Sequence, residues 1–340
     1  MKAAVYYGQK DIRLEEMPVP EIGEDEILVE MKACGICGSD LMDWYLKPRA
    51  PLVLGHEPAG IIAKKGSQVN NFEIGDRVFV HHHVACLACH YCRHGDYTLC
   101  EQFHETNIKP GGFAQYFRVP APNLQLDTLK IPAALSFEEA TLIEPISCCW
   151  RALKKCNVQR GDLVAVIGAG TTGIIHAALS KILGAKTIVS DLIDFRLKAA
   201  KRFGADVVVD ANSEDVEAVV KAETSGIGVD VAVVTAPSLE AYRIGLRICR
   251  KGGKLCVFAP TKPEEHFQVS PKELFFTEVQ IIPSYSTSHL ETREALDLLE
   301  SNRLNVKGLI THRFKLADTG KAFKTALESK DSLKVIVLGE

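Results

Sequence analysis

Cys86, Cys89, Cys92 and Cys100 form a C-x2-C-x2-C-x7-C run, and a second set of metal-ligand side chains, Cys37, His56 and Glu57, lies upstream of it. Four thiolates around a tetrahedral zinc leave no position for a substrate, so the run predicts a structural zinc that clamps residues 84–104 into a lobe. His81, His82 and His83 precede the lobe. With four thiolates available, they read as loop histidines rather than ligands. Cys37 and His56 are a zinc-type pair, and one carboxylate completes three protein ligands with a fourth position open for water or an alcohol. Two carboxylates compete for that place: Glu57, beside His56, and Glu144, in the segment from Leu142 to Pro145. A thiolate, a neutral imidazole and one carboxylate bring divalent zinc to zero net charge, whereas both glutamates together make the centre anionic and a poorer Lewis acid. The expectation is one glutamate at a time on the metal, the other acting through water or by exchange.

A second constellation concerns a dinucleotide. Gly168, Gly170 and Gly173 follow the apolar run Leu163 to Ile167 and open a helix running to Leu183. Gly168 permits the tight turn, Gly170 lets backbone approach a pyrophosphate at the helix N-terminus, and Gly173 allows close packing of helix on strand. Thr172 lies in the same turn. Asp191 follows at the end of the next strand, where a carboxylate accepts from a ribose diol and repels a 2′-phosphate, which favours NAD over NADP. Arg196 is a candidate to flank the adenine, the competing account being a solvated surface arginine.

The elements that position these residues change character near residue 150. Before it, Ala3 to Tyr6, Glu26 to Lys32, Gly60 to Lys64 and Asp76 to Val80 read as strands flanked by turn residues. After it come six apolar runs, Leu163 to Ile167, Thr187 to Ser190, Val207 to Val209, Asp230 to Val234, Lys254 to Phe258 and Val279 to Ile282. Helical stretches separate most of them, the pattern of parallel βαβ units covered on both faces. Ser136 and Glu139 make a capping box, so one helix is expected to start there and carry Glu144. Beyond about residue 287, amphipathic helix returns and a Val335 to Leu338 strand closes the chain. The expected class is α/β, with a β-rich domain at 1–150 completed by 287–340 and a doubly wound parallel six-stranded domain at 151–286.

Composition sets bounds on partners. The 340 residues are 46% hydrophobic with net charge −3, which gives no basic footprint for nucleic acid or an anionic membrane. No apolar run reaches a membrane span of roughly 18 residues. Eleven cysteines and no segment that reads as a leader peptide predict a cytoplasmic, reducing setting.

The landmarks together resemble a known family. Cys34 to Asp40, Gly55 to Glu57, Phe72 to Val78, the four-cysteine lobe, Gly111 to Tyr116, Glu144 with Pro145, and the glycine turn are similar to those of the zinc-dependent medium-chain dehydrogenases, and within them of the sorbitol or L-iditol (polyol) branch. The resemblance implies a GroES-like catalytic domain, a Rossmann domain inserted before the C-terminal tail, two zincs per chain, one catalytic and one structural, and NAD. It implies oxidation of a secondary alcohol (a polyol, sugar alcohol or cyclitol) to a ketone, with zinc lowering the hydroxyl pKa and hydride passing to the nicotinamide. Ser39 is then placed to take the hydroxyl proton and Asp40 to orient His56. Both also have a plainer account as first-turn helix residues. Glu144 stands where classical alcohol dehydrogenases carry a cysteine, which supports a glutamate ligand. Met42 stands where many relatives carry a proton-relaying histidine, so proton release is expected through water, Asp43 or a glutamate at the metal. Relatives imply a homodimer or homotetramer joined along Val279 to Tyr285. The alternatives are L-threonine 3-dehydrogenase, a simple alcohol dehydrogenase, or a non-catalytic zinc and NAD sensor. Against the sensor stand the proton acceptor and the open metal position.

Overall fold

The computed structural model describes residues 1–339 and divides the chain into two compact units: Met1–Ser147 together with the chain from Ser286 onward, and Cys148–Tyr285.

In Cys148–Tyr285, one parallel sheet runs in the order Val207–Asp210, Lys186–Asp191, Leu163–Ile167, Val229–Val234, Cys249–Val257, Gln280–Pro283. Its central strands are β-branched on both faces, and Val164, Val166, Ile188, Val189, Val231 and Val233 are all buried. Such continuous apolar runs need helices over both faces, and Thr171–Ile182, Asp194–Arg202, Val216–Glu223 and Leu239–Ile248 are the crossovers. The chain order 3-2-1-4-5-6 reverses between Leu163–Ile167 and Val229–Val234, the switch point at whose carboxyl ends dinucleotides bind. The strand expected at Lys254 starts earlier, at Cys249, because its ladder with Val229–Val234 continues through a register shift.

The first unit is built on antiparallel pairing. Ile27–Gly35 is flanked by Lys334–Leu338 and Glu57–Lys65, followed outward by Arg77–Val80 and Thr128–Lys130. Tyr6, Ile27, Met31, Ile62, Phe113 and Phe117 fill the core of this unit. The registers fix which side chains meet at the strand ends: Gly35 faces Glu57 and also Ile336, Ala59 faces Phe79, and Phe79 faces Leu129.

One expected helix is two. The capping box forms, with Ser136 accepting from the Glu139 amide, but the helix Phe137–Ala140 ends after one turn and a second, Ile143–Lys155, carries Glu144. Pro145 explains the break. It cannot donate to the carbonyl four residues back, so it is tolerated only in the first turn of a new helix.

Candidate metal centre and dinucleotide site

The four cysteine sulfurs converge, with Cys89 immediately before the one-turn helix His90–Arg93 and Cys100 immediately before Glu101–Glu105. Cys86 and Cys92 sulfurs are 4.0 Å apart and Cys89 and Cys92 sulfurs 3.5 Å apart. Zn–S bonds of about 2.3 Å in a tetrahedron place neighbouring sulfurs about 3.8 Å apart, close to the two separations seen here, so the lobe fits a zinc. Amides of Ala88 and Cys89 donate to the Cys86 sulfur at 3.5 and 3.4 Å. These bonds hold the Cys86 thiol down at about 6, which favours the thiolate a metal needs. The histidines at 81–83 are not part of this ligand group.

The second group assembles from strand ends. Cys37 lies two residues beyond Ile27–Gly35, Glu57 opens the facing strand and His56 immediately precedes it, so the Gly35–Glu57 pairing brings the three together. Their ligand atoms all lie within 4.8 Å of one another. Asp40 is buried, accepts from the Cys37 amide at 3.0 Å and places Oδ1 3.3 Å from His56 Nδ1. It therefore acts both as a first-turn acid and as the partner that orients His56, leaving Nε2 for a metal. Ser39 sits on the same turn, Gly38–Leu41.

The field here is that of a cation site. Burial lowers the His56 pKa, but the charges of Asp40 and Cys37 overcome it and hold the imidazole well above its ordinary value. Lys334, fully within the protein, is likewise stabilised as a cation by Glu57 and Cys37 against the cost of burial. Glu57 is completely buried, its carboxylate in ion contact with Lys334 and raised by burial, with Lys334 opposing the rise. Glu57 Oε1 has no hydrogen-bond partner. An anionic pocket with an orphaned carboxylate oxygen, a thiol and an imidazole fits a divalent cation. Glu144 is also buried and lies outside the compact ligand group, but its charge reaches both Glu57 and Lys334. Gly35 makes the arrangement sterically feasible. A Cβ there would lie 1.9 Å from Glu57 Oε2 and 2.6 Å from Lys334 Cε.

In the dinucleotide unit, Gly168 has φ +105°, Gly170 faces open space at the N-terminus of Thr171–Ile182, and a Cβ on Gly173 would meet the Gly168 carbonyl at 1.9 Å. Asp191 accepts from the amides of Ala169 at 2.6 Å and Ile193 at 2.9 Å, which pins its carboxylate over the glycine turn. Arg196 is half-buried, its Nε without a partner. Thr172 offers its carbonyl to His176 Nδ1 at 2.8 Å and to the Cys149 thiol at 3.5 Å.

Two features go beyond what the sequence pattern indicated. Lys334 gives no signal, because only strand pairing brings the C-terminal tail to Glu57. The histidine run is not a solvated loop: His81 is fully buried, and the His82 ring centroid is 4.9 Å from that of His56. Asp43, considered as a proton exit, accepts from Tyr6 Oη at 2.7 Å and the Gln9 amide at 3.0 Å, which ties it to the first strand.

Comparison with known proteins fits this geometry. Residues 23–132 match the alcohol dehydrogenase GroES-like domain, and residues 171–301 match the zinc-binding dehydrogenase domain. A sorbitol dehydrogenase from Bacillus subtilis is 37% identical over 99% of this chain and 97% of its own length. The alcohol dehydrogenase TADH from Thermus sp. ATN1 superposes with a TM-score of 0.88 at 28% identity, covering all of both chains. A structure described as a zinc-binding dehydrogenase from Sinorhizobium meliloti 1021 bound to NADP gives a TM-score of 0.88 at 27% identity, over 99% of this chain and 98% of that one. Two candidate metal groups, a glycine turn at a switch point and full-length similarity thus agree, and the chain belongs to the zinc-dependent medium-chain dehydrogenase family, in its sorbitol dehydrogenase-like branch.

Proposed function

We propose that this protein is a zinc-dependent oxidoreductase that transfers a hydride from a secondary alcohol, of the polyol, sugar alcohol or cyclitol class, to NAD and gives a ketone. The observation that carries the reading is the cluster of Cys37, His56 and Glu57 with an orphaned carboxylate oxygen, in a chain 37% identical to a sorbitol dehydrogenase. Zinc in this cluster supplies Lewis acidity that lowers the pKa of an alcohol hydroxyl. Cys37 and His56 would hold it with one glutamate, Glu57 or Glu144, which would keep the centre neutral. Lys334 balances the glutamate that is off the metal. Asp40 fixes the His56 ring, and Ser39 receives the hydroxyl proton. Cys86, Cys89, Cys92 and Cys100 hold the structural zinc.

Gly168, Gly170, Thr172 and Gly173 receive the pyrophosphate, Asp191 the adenosine ribose, and Arg196 flanks the adenine. The Asp191 carboxylate favours NAD, since a 2′-phosphate beside it is repelled. NADH formation across sorbitol, xylitol, myo-inositol, butane-2,3-diol, L-threonine and ethanol, with NAD and NADP compared, tests the reading. Turnover of a polyol or cyclitol with NAD preferred by at least tenfold is expected. Turnover of L-threonine or ethanol alone would replace the substrate class, and silence with two zincs bound would overturn the reading.

The assembly is a homodimer or homotetramer. Support comes from the edge strand Gln280–Pro283, which has one side of its backbone unpaired in the sheet, and from the exposed pair Phe275 and Phe276 on the helix preceding it.

A further inference from the structure

The antiparallel ladder of the first unit does more than hold Glu57 opposite Gly35. Ala59 faces Phe79 and Gly60 faces Val78. Carrying that register past the strand ends sets His56 across from His82, and the two rings do meet, at 4.9 Å between centroids and 48° between planes. On the other side of the same strand, Phe79 faces Leu129 and Val80 faces Thr128, which sets His81 across from Asp127. There the contact is a double one: the His81 amide donates to the Asp127 carbonyl at 3.0 Å, and His81 Nδ1 lies 2.8 Å from Asp127 Oδ2.

Asp127 has a further partner. Thr292 Oγ1 donates to Asp127 Oδ1 at 2.6 Å, from the helix His289–Glu300. Asn123 Nδ2 donates to the carbonyls of both His81 and His82 at 2.9 Å. His81, Asn123, Asp127 and Thr292 are all 0% exposed. His81 Nε2, His82 Nδ1 and Asn123 Oδ1 are buried without partners, but the bonds that are made tie the segments together, because breaking any one of them leaves a further unsatisfied group in a low-dielectric interior.

We propose that this network is a positioning device for the candidate metal centre: Asp127, held by Thr292, locks the His81 side chain, Asn123 fixes the backbone of His81 and His82 through their carbonyls, and the His82 ring so placed packs, tilted, against that of His56. Asp40 restrains His56 through Nδ1. Asp40 alone leaves the ring free to rock about that bond, and the His82 ring stops the rocking. The inference rests on the reading of Cys37, His56 and a glutamate as a metal site. It adds to that site residues that touch neither metal nor substrate.

Partners hydrogen-bonded to a ligand histidine typically change metal affinity or activity by about 10–100-fold; this network acts on His56 more remotely, through His82, so the low end of that range is expected. The test uses the full-length protein with the structural zinc retained and Co²⁺ loaded at the open site. Asp127→Asn, Thr292→Val and His82→Ala are expected to shift the Co²⁺ d–d absorption, weaken Co²⁺ in competition with a chelator by about tenfold, and lower kcat while leaving KM for NAD unchanged. His81→Asn, which keeps a donor close to the position of Nδ1, is expected to retain the parent spectrum where His81→Ala does not. Should Asp127→Asn fail to fold, Thr292→Val, which removes a single hydrogen bond, decides. Lower Tm with the Co²⁺ spectrum and chelator competition unchanged would show a purely structural network and overturn the proposal. A parent protein that binds metal only in the four-cysteine lobe would instead overturn the metal-site reading, and the proposal with it. A parent that binds both metals while its variants stay silent would sink the proposal alone.

Discussion

The Glu57–Lys334 pair is the residue-scale feature with the largest expected consequence. Both side chains are buried, and only glycine at position 35 lets them meet. Breaking a buried pair by removing one partner leaves a charge without compensation and costs about 3–5 kcal/mol. Lys334→Met is therefore expected to lower the unfolding free energy from urea titration by that amount, and the double variant Lys334→Met with Glu57→Gln to recover most of it. If the double variant is no more stable than Lys334→Met, the pair is not the source of the effect. Cys37, His56 and Glu57 were legible as ligand types in the chain. Lys334 was not, because it lies 277 positions after Glu57 and nothing local marks it.

Two elements make predictions of their own. The helix Thr171–Ile182 carries His176, fully buried, with Nδ1 bonded to the Thr172 carbonyl. Burial depresses its pKa from 6.5 to about 4, opposed only in part by that bond. The sign follows from proton counting: below 6.5 the unfolded chain takes up the proton first, so stability is complete above about 6.5 and falls as pH drops towards 4. The loss from this group approaches about 3 kcal/mol at pH 4. Denaturant titrations of His176→Gln and the parent between pH 4 and 7 should diverge in slope; parallel curves would rule His176 out. The second element is the lobe from Cys86 to Cys100. A structural zinc in a small lobe contributes on the order of 10 kcal/mol of local folding energy. Cys92→Ser should leave one zinc per chain by atomic absorption and open residues 84–104 to limited proteolysis. Two zincs with an intact lobe would show that three thiolates suffice. At this scale the glycine turn and all six parallel strands were readable, since each is a local run with its own turn chemistry. The helix break before Glu144 was misread because the capping box at Ser136 outweighed Pro145 in the pattern.

At the scale of the whole molecule, an exposed sheet edge bears on assembly. Phe275 is 75% and Phe276 70% exposed, next to an edge strand with unpaired backbone on one side. Sedimentation velocity is expected to give a dimer or tetramer for the parent. Phe275→Asp with Phe276→Asp should shift it toward monomer while the far-ultraviolet circular dichroism stays unchanged. A monomeric parent at micromolar concentration would refute the expectation. Among the described residues no helix is long and apolar enough to cross a membrane.

Spacing within the chain was enough to determine the chemistry available: a closed four-thiolate group within fifteen residues (86 to 100), an open Cys and His pair, and a phosphate-binding turn between a strand and a helix. It also determined the fold class, because the switch from broken extended runs to strand and helix alternation is a local periodicity. Tertiary structure alone decided which distant groups share an environment. Lys334 reaches Glu57, His82 covers His56, and Asp127 locks His81 because neighbouring antiparallel ladders happen to be in those registers. A slip of one residue in a ladder would turn the side chains that depend on it to the opposite face of the sheet; the apolar alternation of each strand says which of its faces is buried, but not which distant strand it pairs with.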